Sequence, residues 1–469
     1  MHIMGQSPSE LLIGVSGIRG RVGAGLTPEV AVRFARAFGC SVQGQPVVVG
    51  RDSRPSGVAL EHAVLAGLLS AGCPVLRAGV IPTPTLGVLV RQRQAGGGVQ
   101  ITASHNPLPD NGLKFFHAHG RILRADEGQH LRRLAEAEAG AWDYQRRAEV
   151  ADIAEPFTAH LERILPLVAV ARIRDRRFRV LVDANGGAGG PAALELLERL
   201  TWPHLLSAVG CEPDGCFAHP PEPLAEHVQD IGPLVQEHGC DIGFILDPDA
   251  DRLALLDETG RYVGEELTLA LAALSRLPQQ PGPVVVNLST SRVMEEVARQ
   301  HGCPVYRTPV GEAHVVETMQ QVGAVLGGEG NGGVIDPRVG WVRDPFVAMA
   351  LILDLLASTG KPVSALAGSL PAYAMCKAKR PLEPQHLPRY YAVLQACWPE
   401  ARPDTRDGLR LEWPDRWVHV RPSNTEPVVR VIAEAPTAAQ AQALAAQALL
   451  PDPSFAWTGP EAANSGAVP

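Results

Sequence analysis

The sequence predicts an α/β protein: three related α/β domains with mixed sheets, followed by a smaller C-terminal α+β domain. Three observations predict it. A chain of 469 residues is longer than one hydrophobic core serves and divides into three or four domains. A strand, loop, helix, strand order returns three times, at a spacing too wide for a solenoid. Beyond residue 371 the pattern changes to alternating strands closed by one alanine-rich helix.

Taken in order, residues 11–23 read LLIGVSGIRGRVG, whose glycines let backbone approach a ligand and whose Arg19 offers a fork of donors. Thr27 caps a helix expected over 28–39, with Pro28 in its first turn. A strand over 46–50 empties into Arg51-Asp52-Ser53-Arg54 and a helix to residue 69. Strands over 178–182 and 283–286 do the same, into residues 183–187 and 287–291, with helices starting near Pro191 and ending near Gln300. Even the exits rhyme, Gly72-Cys73-Pro74-Val75 with Gly302-Cys303-Pro304-Val305. Flexible Gly96, Gly97 and Gly98 and then Val99 and Ile101 make a short strand-like run that is expected to deliver Thr102, Ser104 and His105 onto an exposed loop. In the last domain, strands are expected over 407–412, 417–420 and 428–433 and a helix over 437–450. The Pro-, Gly-, Ser- and Ala-bearing tail, 451–469, is expected to be disordered. Domain limits are placed at 1–155, 156–256, 257–370 and 371–469.

A net charge of −8 argues against a nucleic-acid or anionic-membrane partner, so any phosphate site is built locally. Eight cysteines are thinly spread without a C-x-x-C pair, which speaks for reduced thiols and against zinc. The N-terminus lacks the pattern of a signal peptide and no apolar run reaches the ~18 residues of a membrane span, so a cytoplasmic location is expected.

Four loops carry the chemistry. Ser104-His105-Asn106-Pro107 alone is an ordinary turn, and its hydroxyl needs a base or a metal to become a nucleophile. Asp247-Pro248-Asp249-Ala250-Asp251-Arg252, between apolar runs 242–246 and 253–256, sets three carboxylates at alternate positions, a pattern that converges on a hard, oxygen-preferring cation. An EF-hand would find Glu258 at its twelfth place, but Arg252 stands where that motif needs glycine, and the flanks are strand-like. Residues 327–333, GGEGNGG, expose backbone around Glu329, which accepts from two neighbouring hydroxyls, and Asn331, which donates and accepts; a flexible turn is the plainer alternative. Arg421-Pro422-Ser423-Asn424-Thr425-Glu426-Pro427 gathers a guanidinium, two hydroxyls, an amide and backbone N–H groups into a nest for a dianion.

TASHNP at 102–107, followed by NGLK at 111–114, resembles the phosphoserine loop of the α-D-phosphohexomutases, the family of phosphoglucomutase, phosphomannomutase/phosphoglucomutase and phosphoglucosamine mutase. The other loops match in the same order, so the resemblance spans residues 14–430. It implies a heart-shaped arrangement of the four domains around one central cleft. It also implies a Mg²⁺-dependent mutase that interconverts hexose 1-phosphate and hexose 6-phosphate, with hexose 1,6-bisphosphate as intermediate and activator. The implied partner is a small-molecule phosphosugar, and the chain is expected as a monomer or homodimer.

By the same resemblance Ser104 carries the phosphate and holds the metal together with Asp247, Asp249 and Asp251, while Arg252 stands near the transferring phosphoryl. Lys114 assists acid/base catalysis, Arg19 helps the proton transfers electrostatically, and His105 contacts the substrate phosphate or braces the loop. Glu329 and Asn331 hold the O3 and O4 hydroxyls; Arg421, Ser423, Asn424 and Thr425 grip the phosphate that is not being transferred. The chain departs from the family pattern at Pro248, which replaces a glycine, fixes one backbone angle and removes an N–H. Mg²⁺ binding is expected to survive that change. Asn331 stands where serine is common, Glu312 where some relatives carry a base, and Glu222 where asparagine is more usual; the last two receive no role. The sugar leans to glucosamine phosphate, with glucose and mannose phosphates next. From other classes, a metal-dependent sugar phosphatase would leave the Arg421 loop unexplained, and a non-catalytic sugar-phosphate sensor would not need Ser104, Lys114 or the aspartates.

Overall fold

The strand order that the sequence repeats is realised as one four-stranded pattern used three times in the computed structural model, which describes residues 11–14, 17–137, 148–423 and 428–449. In the first copy Val47–Arg51 lies between Val75–Val80 and Gly97–Ile101, parallel to both, and Asp110–His117 runs antiparallel beside Gly97–Ile101. In the second, Val180–Asp183 lies between Leu206–Val209 and Ile242–Leu246, with Leu253–Leu256 as the antiparallel edge. In the third, Val284–Asn287 lies between Val305–Thr308 and Leu326–Glu329, with Gly333–Ile335 at the edge. The first sheet grows to seven strands by adding Leu12–Ile13 and Gly17–Arg21 on one side and Val150–Asp152 on the other. The sheets are mixed, as expected.

This topology positions the chemistry. In each copy the turn between the third strand and its antiparallel neighbour holds one of the predicted loops: Ser104 in the first, the aspartates in the second, Asn331 in the third, two residues after Glu329 at its strand end. The turn after the first strand carries a bracing residue instead. Asp52, Asp183 and Asn287 each accept, through Oδ1, the backbone N–H two residues on, at 3.0, 2.9 and 2.8 Å.

Strands buried on both faces read as unbroken apolar runs. Val47 and Val49 join the core under helices Pro28–Ser41 and Gly57–Ser70, whereas Val48 joins the opposite core, which Leu86, Leu89 and Val90 of helix Thr83–Gln92 cover. The helix expected over 28–39 thus runs to Ser41, and Thr27 caps it by accepting the Val30 N–H at 3.4 Å. Helix Pro345–Thr359 is apolar on every side except at Asp354, which accepts from Arg172 and the Ala169 N–H, and it packs against helices Glu265–Gln279 and Val170–Arg176. Its N-cap, Asp344, accepts from the Phe346 and Val347 N–H groups at 2.9 and 3.2 Å through Oδ1. Asp344 Oδ2 meets His160 Nε2 at 2.8 Å, and His160 Nδ1 lies 3.0 Å from Thr85 Oγ1. That chain of contacts fixes where residue 343 sits.

From Ala372 onward the chain forms its own unit. Its antiparallel sheet runs in the order Ala374–Pro381, Val428–Ala435, Trp417–Pro422, Leu409–Glu412, Arg402–Asp404, with helix Ala438–Leu449 packed against the first two strands. The two outer strands were not expected, because edge strands rich in Lys and Arg lack an apolar period. The tail over 451–469 lies outside the described residues. Among the described residues no helix is long and apolar enough to cross a membrane.

Candidate active site

Ser104 occupies a left-handed backbone conformation, φ 54°, which a side chain tolerates only when its surroundings impose it. Those surroundings are explicit. The Ser104 N–H donates to Thr102 Oγ1 at 2.8 Å, and Thr102 donates to Asp52 Oδ2 at 2.6 Å. Arg54, fully buried, donates to the carbonyls of Ser104 (2.7 Å), Asn106 (2.6 Å), Pro107 (2.8 Å) and Asp110 (3.1 Å), and its Nε reaches Asp52 at 3.1 Å. One guanidinium therefore gathers four carbonyls of the serine loop. Burial pushes the Asp52 carboxyl up to about 6, although Arg54 and Thr102 pull it down.

The expectation of an exposed serine is corrected: Ser104 is 1 % accessible. Its own neighbour and the second domain close over it, with His105 Nδ1 3.2 Å and Asp247 Oδ2 3.4 Å from the hydroxyl.

Asp247, Asp249 and Asp251 are buried, and one carboxylate oxygen from each lies within 4.8 Å of the others. Pro248 does not disturb this. It takes the second position of a tight turn closed by Ala250 N–H to Asp247 O at 2.9 Å, where a fixed φ is favourable. The turn rests on Gly187, where a Cβ would come within 2.8 Å of the Pro248 backbone. Asp247 Oδ1 accepts the N–H groups of Asp251 and Arg252. Asp249 Oδ2 accepts from Thr83 and Lys114, both at 2.6 Å, and Asp251 Oδ2 from Lys114 at 2.9 Å and Arg343 at 2.6 Å.

Among the described residues, Asp249 Oδ1 and Asp251 Oδ1 are buried without a hydrogen-bond partner. Carboxylate oxygens left so are costly, and three carboxylates around a small gap suit a hard divalent cation. The residues fit Mg²⁺.

The electrostatics follow from this packing. Burial, then Asp251 and Asp249, hold the Asp247 carboxyl well above the usual carboxylate range. Burial acts on Asp251 too, but Arg343, Lys114 and Arg252 outweigh it and bring that carboxyl down. Burial works against the Lys114 ammonium, yet Asp249 and Asp251 raise it. Burial, Arg252 and Arg19 keep the His105 imidazole neutral, well below its ordinary value. Arg19 lies on the strand beside Lys114; burial lowers it, and Asp249 and Asp251 oppose that. Arg252 donates to Glu222 at 3.0 Å, and Glu222 also comes within 3.8 Å of His105 Nε2.

Glu329 is more occupied than a free acceptor for two hydroxyls. Its Oε1 accepts from Asn287 at 2.8 Å and Gly311 N–H at 3.1 Å, and its Oε2 from Arg343 at 2.9 Å. Of roughly four lone-pair sites on a carboxylate, about one remains. Asn331 Oδ1, a buried atom with no hydrogen-bond partner among the described residues, is the second acceptor at this turn. Gly332, at φ 84°, brings its carbonyl to the Leu253 N–H at 3.1 Å, so the turns of the second and third domains touch.

Ser104, His105, Lys114, Arg19, the aspartates, Arg252, Glu329 and Asn331 thus belong to one set of contacting turns and strands. Arg343, Arg54, Asp52, Thr83, Asn287 and Glu222 complete it without having been assigned roles from the sequence. In the separate C-terminal unit Arg421 Nε lies 3.2 Å from Asp407 Oδ2, and the Ser423 N–H donates to Val428 O at 2.8 Å. Asn424 and Thr425 lie outside the described residues.

Models of the phosphoglucomutase/phosphomannomutase family match four successive stretches: alpha/beta/alpha domain I over 10–141, domain II over 155–260, domain III over 264–373 and the C-terminal domain over 377–450. A Methanopyrus kandleri protein named probable phosphoglucosamine mutase is 37% identical over 442 residues, covering 92% of this chain and 95% of its own. A Thermococcus kodakarensis phosphoglucomutase/phosphomannomutase is 35% identical, covering 90% and 94%. The crystal structure of a phosphoglucomutase/phosphomannomutase family protein from Burkholderia thailandensis superposes with a TM-score of 0.82 at 29% identity, covering 94% of this chain and 97% of that one. With four domains matched in order and a relative above one-third identity along nearly the whole length, the chain belongs to the phosphoglucomutase/phosphomannomutase family of phosphohexomutases.

Proposed function

We propose that this phosphohexomutase is Mg²⁺-dependent, carries a phosphoryl group on Ser104, and interconverts glucosamine 1-phosphate and glucosamine 6-phosphate through the 1,6-bisphosphate. The observation that carries this reading is the meeting of a conformationally constrained serine hydroxyl with three aspartates, two of which hold an unpartnered oxygen. Asp247, Asp249, Asp251 and a Ser104 oxygen would hold Mg²⁺, which would supply charge stabilisation to the transfer.

The chain's own groups do the rest. In one half-reaction the O–P bond at Ser104 breaks as an O–P bond forms at a sugar hydroxyl; the Lys114 ammonium gives a proton to the departing Ser104 oxygen and regains one from the hydroxyl. In the other, Ser104 takes back the phosphoryl from the opposite end of the bisphosphate. Arg252, Lys114 and Arg19 surround the centre with positive charge, and the neutral His105 braces the hydroxyl and meets the substrate phosphate. Glu329 and Asn331 receive the sugar hydroxyls, one acceptor each. Arg421, Ser423, Asn424 and Thr425 anchor the idle phosphate.

Relatives named probable phosphoglucosamine mutase, at 37% and 33% identity, favour glucosamine phosphate. The relative named phosphoglucomutase/phosphomannomutase makes glucose and mannose phosphates the second reading. Assaying the purified chain on all three sugar phosphates, with the matching bisphosphate and Mg²⁺, is expected to give fastest isomerisation of glucosamine phosphate and none after chelation. Faster turnover of mannose or glucose phosphate would reassign the sugar; release of inorganic phosphate without isomerisation would overturn the mutase reading. Glu329→Gln is expected to lower kcat/KM roughly 10- to 100-fold on all three, the worth of one charge-assisted hydrogen bond. Loss on one sugar alone would show that Glu329 reads the C2 substituent.

A further inference from the structure

We propose that Arg343 is a positioning residue, a rigid guanidinium strut that ties the aspartate turn of the second domain to the sugar-hydroxyl turn of the third. The inference rests on the mutase reading above. One face of the fork, Nη2, donates to Asp251 Oδ2 at 2.6 Å; the other, Nη1, donates to Glu329 Oε2 at 2.9 Å. The plane connecting them is covalent and flat, so the separation between a metal-facing carboxylate and a sugar-facing carboxylate is set by a single group. A third carboxylate, Glu312, accepts the Arg343 N–H at 2.9 Å and flanks its Nε at 3.5 Å.

The strut is itself held. Arg343 is buried, its stem lies over Gly333, where a Cβ would come within 2.3 Å of Cδ, and the next residue is the Asp344 cap tied to His160. Together with Lys114 the strut takes Asp251 Oδ2 and leaves Oδ1 without a hydrogen-bond partner among the described residues, so Arg343 shares in setting which oxygen of Asp251 is offered to a cation. A disturbance at Glu329 therefore passes to the aspartate turn through this guanidinium. Charge balance alone makes a different demand, because a lysine at 343 would satisfy it as a point charge, without a flat fork that reaches Asp251 and Glu329 through separate nitrogens.

The test uses the purified full chain and Mn²⁺ alone as probe, read by calorimetric titration. Glu329→Gln is expected to shift the Mn²⁺ dissociation constant about fivefold in the wild-type background and to leave it unchanged in the Arg343→Met and Arg343→Lys backgrounds. Circular dichroism and thermal melts establish that each variant is folded; Arg343→Lys keeps the test intact should Arg343→Met fail to fold. An unshifted constant in Glu329→Gln, an equal shift in both backgrounds, or no Mn²⁺ binding at all would overturn the strut. In a parallel arm, Glu329→Gln and Arg343→Lys are expected to cost kcat/KM non-additively, the double variant being no worse than the more damaging single. Multiplying losses would overturn the proposal even in an active mutase, whereas a wild type that isomerises no sugar phosphate would sink the functional reading and leave the Mn²⁺ arm to judge the strut.

Discussion

Ser104→Ala is expected to lower kcat/KM by about 10⁴-fold or more, the scale on which removing a nucleophile acts. It is also expected to erase from the intact mass the increment of one phosphoryl group, and to leave the fold in place. That last clause comes from the geometry. The serine loop is held through backbone atoms: Arg54 takes its carbonyls and Thr102 its N–H, whereas the hydroxyl makes only long contacts, 3.2 Å to His105 and 3.4 Å to Asp247. Alanine meets the same left-handed φ with a smaller side chain. Thermal unfolding of the variant should therefore track the wild type while turnover vanishes. Undiminished turnover would show that the phosphate donor is another group, and a large drop in melting temperature would show that the hydroxyl, not Arg54, shapes the loop.

What the sequence made legible was contiguous chemistry. Ser104 and the three aspartates each sit in one short loop between apolar strands, and the strand periodicity that frames them survives in the fold. Arg343 was invisible for the complementary reason: its partners Asp251, Glu312 and Glu329 lie 92, 31 and 14 residues away. Its only local mark is a charged pair, Arg343-Asp344, ahead of an apolar run. The burial of Ser104 is not legible in the sequence, because a polar loop looks solvated until a second domain covers it. Glu329 looked like a free acceptor because Asn287, Gly311 and Arg343 reach it only after the third sheet has formed. The repeated Asx bond at Asp52, Asp183 and Asn287 was within reach, since those residues already stood at equivalent places in the three repeats.

Arg54→Met carries the largest expected cost in stability, about 3–5 kcal/mol, because it breaks a buried ion pair by removing one partner. Methionine fills similar space but donates nothing, so Asp52 keeps a buried charge with only Thr102 and the Arg54-position N–H to stabilise it. Burial already pushes this carboxyl up to about 6, above its unfolded value, and losing the guanidinium pushes it further. The sign of the pH dependence follows. A carboxyl that binds its proton more tightly folded than unfolded adds stability as pH falls through its folded value, so the variant should recover part of its deficit between neutral pH and about 5, in the window opened by that raised value. Urea unfolding at the two pH values measures this, and a cost under about 1 kcal/mol would remove Arg54 from the role of loop organiser. Adding Asp52→Asn separates the two components of the loss. The amide removes the charge and keeps one acceptor oxygen, for either the Thr102 hydroxyl or the residue 54 N–H, so the double variant should regain most of the electrostatic part and lose its pH dependence. Whatever deficit persists then belongs to the four carbonyls of the serine loop, and it should be matched by lost turnover, since the same four bonds hold Ser104 facing the aspartates.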